Sequence, residues 1–123
     1  MDTVAIRMKN KPPLQDLVPV LREHWEVAEN ADHNGLVIGG PGSRVFISYA
    51  TPPDDVPNPN TLLLDYHSVQ KVNAVIALIA DDPEMTVDAD FDVVLPGNEF
   101  VARVKANPDW DWRMEWLKRK DKL

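Results

Sequence analysis

Three carboxylates stand at every second position of the stretch "MTVDADFDVV": Asp88, Asp90 and Asp92, with Val87, Ala89, Phe91 and Val93 around them. Carboxylates in a tight loop can wrap oxygen ligands around a hard cation. The three aspartates match positions 1, 3 and 5 of a calcium-binding loop, and Glu99 matches position 12. Such a loop turns sharply on a glycine at position 6, where this chain has Val93. The alternation with apolar residues instead describes a strand, which lays ligands out in a row. No metal and no cofactor is therefore expected. The carboxylates are read either as a solvated face balanced by Arg7, Lys9 or Arg44, or as a negative surface made for a positive partner. A small carboxylate–metal enzyme built on Asp88, Asp90 and Asp92 is the catalytic alternative.

The remaining chemistry-bearing residues offer less. "GGPGSR" has the glycines of a phosphate loop but neither its lysine nor its spacing, and reads as a hairpin turn. "DYHS" supplies Asp65, His67 and Ser68, the residue types of a hydrolytic triad. Sequence neighbours on a strand point to opposite faces, however, and no nucleophile elbow surrounds the serine. His24, His33 and His67 lack ligand-type spacing. Cysteine is absent, which removes disulfides, thiolate nucleophiles and thiolate metal ligands, and fits a reducing, cytoplasmic setting. No catalytic residue is assigned.

Charge is distributed unevenly. The chain carries a net −7 over 123 residues. Residues 1–50 hold 5 basic and 6 acidic side chains, residues 51–99 hold 1 and 10, and residues 100–123 hold 7 and 4. The middle segment alone thus exceeds the net charge of the whole. Nucleic acid requires a cationic footprint, and anionic lipid is repelled by an acidic face, so neither is an expected partner. The longest apolar run, "AVIALIA", is too short to span a bilayer, and "MDTVAIRMKNKPPLQDL" has no secretory apolar core.

The elements that must position these groups follow from periodicity. "TVAIRMK" alternates like a strand, and "LQDLVPVLREHW" places Leu14, Leu17, Val18, Leu21 and Trp25 at helical spacing, with Pro19 as a kink or restart. Residues 35–39 and 44–50 read as a hairpin about Pro41-Gly42, and "TPPDDVPNPN" as an irregular loop. "TLLLDY" reads as a strand and Ser68 as the cap of a helix burying Val69, Val72, Val75, Ile76 and Ile79. The aspartate stretch is the next strand. "NEFVARVKA" is a helix with Phe100, Val101 and Val104 inward, and Asn107-Pro108-Asp109 caps a last helix. The expected order is β-α-β-β-β-α-β-α-α, forming a single domain over residues 1–123. Its class is α+β, or failing that α/β, with a mixed sheet of about five strands and helices packed on it.

Four tryptophans are unusually many for this length, and three of them, Trp110, Trp112 and Trp116, lie within seven residues. On one helix Trp112 and Trp116 share a side, with Trp110 about 160° from Trp112. All three cannot face one flat core. One or two should close the core and one should face outward as an interface anchor.

The acidic block "DDPEMTVDADFD" and the terminal "NEFVARVKANPDWDW", on a small cysteine-free chain, resemble the acidic immunity proteins that bacteria encode beside toxins. The resemblance is one of type, size and α+β layout. It implies a protein that neutralises a basic toxin or effector by occluding it. A basic active cleft is met best by a negative, preorganised face that speeds encounter, with aromatic side chains prolonging the complex. The residues expected to bind the partner are Asp81, Asp82, Glu84, Asp88, Asp90, Asp92, Trp110 and Trp112. An adaptor or regulatory domain is the alternative binding role.

Overall fold

A computed structural model describes residues 2–9, 14–29, 35–40, 43–49, 60–91 and 93–121. Strand β1 (Asp2–Arg7) is followed by α1 (Leu14–Arg22), β2 (Val27–Glu29), β3 (Gly35–Ile38), β4 (Val45–Tyr49) and β5 (Thr61–Tyr66). Then come α2 (Val69–Ile79), β6 (Thr86–Asp88), β7 (Val94–Pro96), α3 (Gly97–Ala106) and α4 (Trp112–Asp121). The class is α+β. Seven strands form one open sheet in the order β2-β3-β4-β5-β1-β6-β7, and every neighbouring pair is antiparallel. The expected mixed sheet of five strands is corrected on both counts. A parallel pair needs a long crossover, whereas here β2 to β5 meander and β6–β7 is a hairpin, with β1 inserted between the two groups.

Alternation along the strands puts Val4, Ile6, Leu36, Ile38, Val45, Ile47, Leu62, Leu64, Tyr66 and Val87 on one buried face. The helices cover that face. α1 contributes Leu14, Val18 and Leu21, and its Pro19 ring stays at the exposed surface, so the helix runs through it instead of restarting. α2 buries the five residues expected of it and is started by Ser68, whose hydroxyl accepts the Lys71 N–H at 3.3 Å. α3 turns Phe100, Val101 and Val104 inward.

Two polar residues of α2 are buried with it, and both tie the helix to other segments. Asn73 Nδ2 donates to the Trp110 carbonyl at 2.9 Å, and Lys71 Nζ donates to the Gly39 carbonyl at 2.9 Å. Burial pushes the Lys71 ammonium below its ordinary pKa, because the charged form loses hydration.

Gly97 marks the closest backbone approach. A Cβ there would lie 2.1 Å from the Ala80 carbonyl oxygen and 2.8 Å from that of Asp82. The glycine lets the start of α3 dock directly on the end of α2, where Asn98 N–H reaches the Asp82 carbonyl at 3.3 Å.

Three local expectations change. Residues 85–94 do not form one strand: β6 stops after three residues, the chain turns through Asp90 at φ 65°, and β7 returns. The Asp88 carboxylate accepts the Asp90 N–H at 3.0 Å, a turn-forming bond that competes with strand continuation. Asp111 caps the last helix, since its Oδ1 accepts the N–H groups of Arg113 and Met114 at 3.0 and 3.3 Å; residues 107–110 form a preceding turn. β2 and β7 are additional strands, each of three residues, too short to show alternation. The Pro41-Gly42 turn centre and residues 51–59 lie outside the described residues, although Gly40 enters that turn at φ 93°.

Candidate partner-binding surface

The acidic residues are distributed around the β6–β7 hairpin and do not share one face. Asp81, Asp82 and Glu84 sit at the end where α2 meets the hairpin, whereas Asp90 occupies the turn at the opposite end. Asp88 lies between them on the uncovered side of the sheet. This chain's own bases meet three of the five. Arg7 Nη1 reaches Asp88 Oδ2 at 3.1 Å, Lys9 Nζ reaches Glu84 Oε1 at 3.0 Å, and Lys105 Nζ lies 3.6 Å from Asp81 Oδ2. Asp82 Oδ1 accepts the Glu84 N–H at 2.8 Å. Asp90 is exposed, and Asp92 lies outside the described residues. The single acidic face is therefore corrected to dispersed and largely paired carboxylates. A strand long enough to align them never forms, and antiparallel pairing brings Arg7 beside Thr86 and Asp88.

Trp110 and Trp112 are also corrected as partner anchors, being 6% and 0% exposed. Their rings lie 5.7 Å apart and pack on Phe100 at 5.0 and 5.4 Å. The reasoning from a single helix fails because Trp110 precedes the helix that begins at Trp112, so the intervening turn aims both rings inward. The Trp110 indole N–H donates to Glu115 Oε2 at 3.2 Å, and the Arg103 guanidinium lies 5.7 Å from the ring centroid. Trp116 is half-buried against Phe91 at 5.6 Å. α4 exposes Met114 and Leu117 instead.

Tyr66 and Trp112 meet edge-on at 6.2 Å under the Arg113 guanidinium, which also pairs with Asp2 at 2.9 Å. Burial pushes the Tyr66 phenol up to about 12, against the lowering influence of Arg113.

The proposed catalytic sets do not assemble. Among the described residues no three His, Asp or Glu side chains gather at metal-binding distance. Asp88 is held by Arg7, and Glu99 lies exposed in the first turn of α3. In "DYHS", the Asp65 carboxylate receives the Thr3 hydroxyl at 2.6 Å, His67 is exposed and Ser68 caps α2. Three roles in three directions leave no triad. No helix among the described residues is long and apolar enough to cross a membrane.

Sequence reasoning passed over the uncovered face of the sheet. The positions left between buried ones include Thr3, Ala5 and Arg7 on β1, Val37 on β3, Phe46 and Ser48 on β4, and Leu63 and Asp65 on β5. All are half-buried. Register sets Phe46 opposite Val37 on one side and Asp65 on the other, with Thr3 beyond Asp65. A shallow depression of about 380 Å³ opens there, lined by Gly35, Val37, Phe46, Ser48 and Asp65. The available signal was parity: in "TLLLDY", Asp65 is out of phase with Leu62, Leu64 and Tyr66. Comparison of the chain with protein-family models, with curated proteins and with solved structures finds no match.

Proposed function

We propose that this chain is a binding protein that neutralises a basic protein partner, most readily a toxin or effector domain of the kind that small acidic immunity proteins occlude. The observation that carries the reading is that internal pairing does not discharge the molecule. Arg7, Lys9 and Lys105 are already counted in the net −7, so after their ion pairs form an excess of seven negative charges persists. Pairing shortens the local field around each carboxylate, but the net charge still draws a cationic macromolecule from a distance and raises its encounter rate. One-sided helix coverage adds the second requirement, a broad rigid surface held by seven strands.

The test is association with the protein encoded in the adjoining reading frame, followed by stopped-flow at rising ionic strength. A steep fall in on-rate with salt supports the reading. The triple variant Asp81→Asn/Glu84→Gln/Asp90→Asn is expected to slow association several-fold and flatten the salt dependence. An on-rate indifferent to salt and to these substitutions would sink it.

A further inference from the structure

Two carboxylates face outward from the uncovered side of the central strands, and they are equipped differently. Asp88 has a cation of its own in Arg7 at 3.1 Å. Asp65 has none among the described residues. The Thr3 hydroxyl donates to Asp65 Oδ1 at 2.6 Å, which fixes the carboxylate, while Oδ2 faces the depression. A half-buried carboxylate loses part of its hydration, and a hydroxyl supplies a hydrogen bond without neutralising the charge. Beside it stands the ring of Phe46, directly across β4 in register, and beyond that Val37.

We propose that this depression is a receptor for one arginine side chain of the basic partner. The inference rests on the reading of the chain as a binder of a basic protein and names the contact that such a partner makes. The guanidinium donates to Asp65 Oδ2 and lies against Phe46, while the three-carbon stem crosses Val37. A planar, weakly hydrated cation is suited to this pairing of aromatic face and carboxylate, more than a compact ammonium. The depression, at about 380 Å³, is within the size range of small-ligand sites, and its open form suits a side chain presented from a surface. Desolvated arginine beside an aromatic ring is also a common source of concentrated interface energy.

The probe is the tripeptide acetyl-Gly-Arg-Gly-amide, with its citrulline counterpart as the neutral isostere, titrated into ¹⁵N-labelled full-length protein. The arginine peptide is expected to shift the amide signals of residues 35–37, 46–48 and 65, and the citrulline peptide to shift them at least tenfold more weakly. Asp65→Asn keeps an acceptor for Thr3 and removes the charge; it should abolish the difference between the peptides. Phe46→Ala should weaken arginine binding several-fold while leaving the remainder of the spectrum in place. Equal shifts from the two peptides, or shifts centred on Asp81, Glu84 and Asp90, would overturn the site. The two ideas fail separately. A partner whose association is salt-dependent yet indifferent to Asp65→Asn overturns the arginine receptor and leaves the basic-partner reading standing. A partner without salt dependence, alongside intact peptide binding at Asp65, does the reverse.

Discussion

The two faces of this sheet are made by the same strands, and they obey different chemistry. On the covered face, β5 presents Leu62, Leu64 and Tyr66 to α2 and the tryptophan cluster, all fully buried. One residue out of phase, the same strand presents Leu63 and Asp65, both half-buried. β1 does likewise, with Val4 and Ile6 inward and Thr3, Ala5 and Arg7 outward. The covered face derives its stability from removing aliphatic and aromatic surface from water. The uncovered face is held by polar pairs such as Thr3–Asp65 and Arg7–Asp88, which contribute little to stability but fix side chains in place. Function, on this contrast, belongs on the side where the fold loses least by mutation.

The sharpest test compares adjacent residues. Leu64→Ala is expected to destabilise the fold by about 2–5 kcal/mol in urea denaturation, because it leaves a cavity under α2. Leu63→Ala should cost less than half as much. Equal losses would break the contrast and mean that the outer face is covered in solution. Gly97→Ala probes the covered side differently. The added methyl meets two backbone carbonyls that cannot rotate away, so a loss of about 1–3 kcal/mol or more is expected, with α2 and α3 separating first in hydrogen exchange.

Tyr66 offers a pH-dependent test of how dry the covered face is. The unfolded phenol ionises near 10.0 and the folded one only near about 12. The unfolded chain therefore releases its proton first, and stability contributed by the neutral phenol is present below pH 10.0 and declines as pH rises toward 12. Tyr66→Phe should remove that part of the decline, measured as the difference between the two stability–pH curves. The smallest effect is expected outside. Arg7→Ala breaks a part-exposed ion pair and should cost at most about 1 kcal/mol, less at high salt. A larger loss would mean that the pair, and not the covered core, anchors β6 to β1.

Much of the architecture was legible before any coordinates. Ser68 announced the start of α2, and the spacing of Phe100, Val101 and Val104 gave the inner side of α3, because helical periodicity and capping are local properties of the chain. Arg7 and Lys9 were among the bases named as counter-charges for the acidic stretch. The candidate site was read less well. Asp88, Asp90 and Asp92 alternate as a strand does, but Asp88 also closes a turn on the Asp90 amide, and periodicity cannot weigh those two options. The tryptophans were placed by the geometry of one helix that in fact begins at Trp112, after Trp110.

The chain's own residues determined its α+β class, most of its elements, its aliphatic core positions and its net charge, since each depends on neighbours in sequence or on simple addition. Tertiary structure decided which carboxylates meet cations, which tryptophans face inward and which side of the sheet stays open. Those outcomes depend on contacts between residues distant in sequence: Arg7 meets Asp88, and Thr3 meets Asp65, only after β1 inserts between β5 and β6.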